Sequence, residues 1–111
     1  MAPGGASRSP LDRAIAYAQL HLPDPQLTVM SMAAAANISP AALKLLFKTR
    51  LRETPYMFIQ RRRAELAKLM VDQTDWPRDT IAMRCGLRTE QRMAIVLRRM
   101  SGRAATDHAR H

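Results

Sequence analysis

The densest run of chemically active side chains in this chain is Arg61-Arg62-Arg63, three guanidinium groups in succession. A guanidinium is always charged and presents a planar fork of donors that fits phosphate. On helical spacing the run divides. Arg63 shares an apolar stripe with Ile59, Leu66 and Met70, with Phe58 and Leu69 beside it, and is expected to tie two modules together internally. Arg61 and Arg62 face elsewhere, toward solvent or toward phosphates, and the phosphate assignment is the one adopted. The remaining reactive types form no catalytic pattern. His21, His108 and His111 sit at helix ends or in the C-terminal tail, Cys85 stands alone, and the carboxylates are scattered singly. There is no nucleophile–histidine pairing, no glycine-rich phosphate loop and no paired-histidine metal motif. Neither an enzyme nor a cofactor nor a metal is expected.

The charge distribution supports a polyanionic partner. The net charge is +9 over 111 residues. Residues 1–43 carry two basic and two acidic side chains, so the whole excess lies in 44–111, with sixteen Lys/Arg against seven Asp/Glu. A one-sided basic field of this kind favours nucleic acid, the alternative being a solvated basic surface that serves solubility. A single cysteine excludes a disulfide framework. No apolar run approaches the ~20 residues that span a bilayer. The start, MAPGGASRSP, does not read as a signal peptide, so a soluble cytoplasmic protein is expected.

The elements that position these side chains are helices. Hydrophobic content is 47% with only 5% aromatic, and Ala, Leu and Met dominate, which suits closely approaching helices. A pattern repeats on either side of the stretch Pro55–Val71. Met32-Ala33, Ile38, Leu43 and Phe47 are followed 49 or 50 residues later by Ile81-Ala82, Leu87, Met93 and Leu97. The change in offset places one extra residue between Leu87 and Met93. A repeat of this period indicates duplicated supersecondary units. The intervening seventeen residues, opened by Thr54-Pro55, form a linking helix of roughly 25 Å.

In chain order, residues 1-9 read as a disordered tail and 10-54 as a first module. The linker helix is 55-71, and a second module occupies 72-111. Leu11, Ala14, Ile15, Ala18 and Leu22 recur at helical spacing, and the run His21 to Pro25 stops that helix, with His21 as a cap. Thr28 caps a helix over 29–36, Asn37 tolerates a left-handed turn, and Ser39-Pro40 restarts a helix running to about Arg50. Two helices joined in this way form a helix-turn-helix. In the second module Trp76 is expected in the core and a helix covers 77–84. Cys85-Gly86 turns, and Thr89 caps a helix from Glu90 to about Met100, which Ser101-Gly102 ends, with one last turn to be added over 104–109.

With both hairpins placed, the chain resembles the DNA-binding domain of the AraC/XylS family of bacterial transcription regulators. The residues carrying the resemblance include Leu27, Met32-Ala33, Ile38-Ser39, Leu43, Phe47-Lys48, Thr54-Pro55, Phe58-Ile59, Arg63, Ala67, Ile81-Ala82, Cys85-Gly86-Leu87, Met93, Leu97 and Gly102. The resemblance implies an all-α fold of about six or seven helices: two homeodomain-like helix-turn-helix modules bridged by a long linker helix. It implies recognition helices over about 40-50 and 90-100 in successive major grooves. With about ten residues before the first helix, the chain is similar to the stand-alone members of that family, which implies no effector-binding domain. Carried over by position, base-reading residues would be Ala41, Lys44 and Leu45 in the first helix, and Glu90, Gln91, Arg92, Ala94 and Ile95 in the second. Phosphate contacts would come from Lys48, Arg61, Arg62, Arg88, Arg98 and Arg99.

The first module keeps the family pattern better than the second. Leu45 and Ile95 stand where the family commonly has Arg, Arg52 where it has Gly, Arg78 where it has an aliphatic residue, and Ala105 and His108 where it has Pro and an aromatic. Arg reads guanine through paired hydrogen bonds, whereas an aliphatic side chain meets a thymine methyl or another apolar surface. Two functions follow. One is a transcription regulator on double-stranded DNA, binding as a monomer or weak dimer. The other is a protein-interaction module that keeps the fold and docks onto a second copy, RNA polymerase or another regulator.

Overall fold

The computed structural model describes residues 9–109, with side chains through residue 102. Residues 1–8 of the expected 1–9 tail, His111, and the side chains of Ala105 and His108 lie outside the described residues. Six α-helices and no strand occur among those described: α1 (Pro10–Leu20), α2 (Val29–Ala35), α3 (Pro40–Leu51), α4 (Pro55–Gln73), α5 (Arg78–Arg84) and α6 (Glu90–Ala109). The chain divides between Ile59 and Gln60 into two compact units, so the division falls within α4. No single described helix is long and apolar enough to cross a membrane.

In the first unit, α1 opens on a reciprocal capping box. Ser9 Oγ accepts from the Asp12 amide at 3.1 Å, and the Ser9 amide donates to Asp12 at 3.4 Å. Composition places Ser9 in the tail, but its hydroxyl terminates the helix instead. His21 ends α1 as expected: its amide bonds back to Tyr17 and Ala18 and its ring stacks on Tyr17 with centroids 4.1 Å apart. A second capping box joins Thr28 and Ser31 at the start of α2.

The turn between α2 and α3 is a Schellman motif. The Ile38 amide donates to Ala33 O and the Asn37 amide to Ala34 O, both at 3.0 Å. Asn37 takes the left-handed conformation this requires, with φ 60°. Ser39 then caps α3 through the Ala42 amide at 3.1 Å, and Pro40 supplies the preset φ of the first helical residue. α2 and α3 meet at 93°, within the range of a helix-turn-helix. The Arg13 guanidinium donates to Ala36 O at 3.1 Å, so a side chain of α1 satisfies a carbonyl at the buried C-terminal end of α2. Ala14, Ala18, Met32, Ala33, Leu43 and Phe47 are buried, and Phe58 packs edge-on against Phe47 at 5.4 Å.

The second unit repeats this construction. Leu87 N donates to Ala82 O at 2.9 Å and Gly86 N to Met83 O at 3.3 Å, with Gly86 at φ 87°. The additional residue is Arg88, held at φ 73° between the turn and the cap residue Thr89, whose hydroxyl accepts from the Arg92 amide at 3.1 Å. The core consists of Ala67 from α4, Ile81, Ala82, Cys85 and Leu87 around the turn, and Met93 from α6, flanked by Leu66, Met70, Val96 and Leu97.

Three expectations need correction. Trp76 is not in the core; it is 44% exposed, and the Arg84 guanidinium lies 4.9 Å from its ring centroid. Its position just before Pro77 leaves Ile81 and Ala82 to fill the interior, and a surface cation–π contact covers the indole. Leu69, expected beside the apolar stripe of α4, is also exposed. α6 does not stop at Ser101-Gly102 but continues to Ala109. Glycine permits a left-handed stop without imposing one, and no proline in 103–109 interrupts the helix. The left-handed stop occurs instead at Arg52, with φ 58°, fifty residues before Gly102.

Two stability predictions follow from these positions. Met93 is fully buried, so Met93→Asp should cost at least ~3 kcal/mol and unfold the second unit; an unchanged thermal midpoint would refute this. Arg52→Gly should relieve left-handed strain and raise the urea midpoint by the equivalent of about 0.5–1 kcal/mol. A fall in the midpoint would show that the Arg52 side chain contributes more than its backbone costs.

Candidate nucleic-acid interface

Each turn delivers a helix that is buried on one side and open on the other. On α3, Leu43 and Phe47 point inward while Ala41, Lys44, Leu45 and Lys48 are exposed. On α6, Met93 is buried and Val96 and Leu97 half-buried, while Glu90, Gln91, Arg92, Ile95, Arg98 and Arg99 are exposed. Of the residues assigned to base reading, only Ala94 is half-buried. The open faces correspond at a separation of fifty residues: Ala41 with Gln91, Leu45 with Ile95, Lys48 with Arg98. Leu45 is 62% and Ile95 46% exposed, so neither is part of its own unit's core.

The basic residues of α4 are arranged differently. Arg61 Nη1 lies 3.1 Å from Glu65 Oε2 and Arg62 Nη1 2.8 Å from Glu65 Oε1. One carboxylate thus serves two guanidinium groups, leaving a net positive site. These pairs are partly exposed and each contributes only about 0.3–0.5 kcal/mol, so exchange of Glu65 for a phosphate costs little. Arg62 Nε is buried without a hydrogen-bond partner, so it is Nη1, held by Glu65, that faces the exposed side of the pair. Arg63 is half-buried, and its charge acts on Cys85.

Sequence reasoning missed one pair. Arg78 Nε lies 3.7 Å from Glu90 Oε1, so the acidic residue that opens α6 has a cation beside it from α5. Twelve residues separate the two, and no local pattern marks such a contact. Burial raises the Cys85 thiol pKa above its ordinary 9.0, and hydrogen bonds with nearby backbone and the Arg63 charge offset this only in part. The thiol donates to Ala82 O at 3.6 Å and serves as a small packing group in the turn. Among the described residues no three His, Cys, Asp or Glu side chains come together to hold a metal ion.

The helix-turn-helix domain family matches residues 32–111, most of the chain. The chain belongs to the AraC-type helix-turn-helix family. LumQ of Photobacterium leiognathi, described as a probable transcriptional regulator, is 26% identical over 92 residues. That match takes in 83% of this chain but only 37% of LumQ, so the chain spans little more than a third of that relative's length. The C-terminal domain of AraT, a response regulator from Geobacillus stearothermophilus, superposes with a TM-score of 0.79 at 27% identity, over 86% of this chain and 78% of that one. The DNA-binding domain of AdpA, a global transcriptional factor solved with a target DNA, gives 0.77 at 26% identity, over 94% and 97%. Fold and family are those of DNA-binding regulators rather than enzymes.

The buried thiol yields a solution prediction. A folded pKa above the unfolded one means that stability is fully present below the unfolded value, 9.0, and declines as pH rises from there through the folded value. In native buffer at pH 8 a disulfide reagent should leave Cys85 untouched, with full reaction in denaturant. Stoichiometric labelling of the native protein would contradict the packing role.

Proposed function

We propose that this chain is a sequence-specific DNA-binding transcription regulator that sets α3 and α6 into the major groove. The observation that carries the reading is the matched pair of open helix faces, each following a capped turn and each bearing a cation at its third exposed step, Lys48 and Arg98. Recognition helices of this motif enter the groove by their N-terminal residues. In that pose Ala41, Lys44, Leu45, Glu90, Gln91, Arg92, Ala94 and Ile95 face base edges. Lys48, Arg61, Arg62, Arg88, Arg98 and Arg99 hold phosphates and fix register. The excess of basic residues after Leu43 supplies the long-range attraction. AdpA, similar over nearly all of this chain, is described with a target DNA, which supports the same partner here. One chain carries both helices, so a monomer can occupy a site.

A second reading is favoured by the exposure of Leu45 and Ile95: docking of this face on another protein, such as RNA polymerase or a second regulator. The two readings differ in salt response, because apolar docking weakens little with added salt.

Fluorescence-anisotropy titration of a random-sequence duplex pool at several salt concentrations, with sequencing of the retained fraction, tests the proposal. Six phosphate contacts should lower affinity about 10³-fold between 50 and 200 mM salt. The enriched motif should show by its length whether the two helices occupy successive grooves. Absence of binding even at low salt would reject the DNA reading in favour of protein docking. Lys44→Ala and Arg92→Ala should weaken binding and relax base preference, whereas Arg61→Ala should weaken all sequences alike. A changed preferred sequence in Arg61→Ala would remove that residue from the phosphate set.

A further inference from the structure

We propose that Leu45 and Ile95 are specificity-determining residues, each reading the 5-methyl group of a pyrimidine, thymine or 5-methylcytosine, in the major groove. The inference rests on α3 and α6 being the groove helices. Its own support is the placement of these two side chains. Both are the sixth residue of a helix opened by a hydroxyl cap, Ser39 for α3 and Thr89 for α6. Both are exposed, at 62% and 46%, although the inner sides of their helices bury Leu43, Phe47 and Met93. Each thus leaves a large share of its apolar surface in water, which burial against an apolar group of a partner would remove.

The surrounding charges select the occupant. Three residues after each aliphatic side chain, close to one helical turn, stands an exposed cation, Lys48 or Arg98. Arg99 lies one residue further on in α6 and is also exposed. A cation at that distance fits a partner in which an apolar spot lies within reach of phosphate. Major-groove DNA is such a partner. Its base edges present hydrogen-bonding groups at every pair, and their one apolar feature is the methyl group on C5 of a pyrimidine. Leu and Ile make no hydrogen bonds and are indifferent to donors and acceptors, so the methyl is what they can distinguish. The duplicated construction places one such contact in each unit. Lys44 and Ala94 occupy corresponding positions beside them, so the polar readout differs between the helices while the apolar readout is shared.

The test uses a duplex carrying the motif enriched from the random pool. Each thymidine is replaced singly by deoxyuridine, which removes only the methyl, and each deoxycytidine singly by its 5-methyl form, which adds one. Burial of one methyl-sized group corresponds to about a fourfold change in affinity. At least one deoxyuridine replacement in each half of the motif should lower affinity by that factor, which identifies thymine as the source of the methyl. A fourfold gain at a methylated deoxycytidine identifies 5-methylcytosine. Leu45→Ala should abolish the methyl response in one half, and Ile95→Ala in the other. Both variants should keep the wild-type salt slope and thermal melting, since neither side chain is in a core. A motif bound with normal salt dependence but indifferent to every methyl change would overturn the proposal and leave the DNA reading standing. So would variants that lose affinity equally for thymidine and deoxyuridine. Failure of the wild-type protein to bind the pool at low salt would overturn both, and would assign Leu45 and Ile95 to a protein partner.

Discussion

Two backbone hydrogen bonds, Ile38 N to Ala33 O and Leu87 N to Ala82 O, set the direction in which each following helix leaves its turn. Each closes a Schellman motif and forces the preceding residue, Asn37 or Gly86, into the left-handed region. Once the turn is closed, the next helix lies with Leu43 or Met93 against the core. Its opposite side is necessarily open. An altered turn would rotate the helix and bury a different set of side chains, so the chemistry of the open face depends on a backbone geometry that the face itself does not touch.

The two units solve this problem with different residues. The first uses Asn37 at the left-handed position and passes through Ile38 alone to its cap residue, Ser39. The second uses Gly86 and then inserts Arg88, also left-handed, before Thr89. The insertion adds a positive side chain just ahead of α6 and a second amide, that of Arg88, on Ala82 O, while both Schellman hydrogen bonds remain. The helix exits differ as well. α3 stops at Arg52, which bears the conformational cost of a positive φ, whereas α6 runs on past Gly102. Conserving the turn while varying what surrounds it lets one architecture present two chemically distinct faces.

Electrostatics follow the same division of labour. The ion pairs of α4 and the Arg78–Glu90 pair are partly exposed, and exposed pairs add little to stability. Their effect is on local charge: Glu65 moderates Arg61 and Arg62, and Arg78 moderates Glu90. Most of the exposed basic residues of α3 and α6 have no such carboxylate on their own helix face, because α3 holds no acidic residue and α6 shows one, Glu90, on its described exposed face. The interior carries apolar groups and the surface carries the field.

The helices themselves were legible in the chain because their determinants are local. Ser39-Pro40, Thr54-Pro55 and Thr89 announce helix starts through hydroxyls and preset dihedrals, and the positions of Leu43, Phe47 and Met93 follow from a period of 3.6 residues. The duplication was legible because the same local signals occur twice. The candidate base-reading positions could be named from the resemblance, and the exposure of most of them follows once the inward side of each helix is known. Only the tertiary structure decided the outcomes that depend on competition between distant groups. Trp76 lost its place in the core to Ile81 and Ala82 and lies over Arg84. Glu90 acquired Arg78, and α6 ran on through Gly102. Leu45 and Ile95 remained exposed because the turns that orient α3 and α6 leave their own cores filled by other residues.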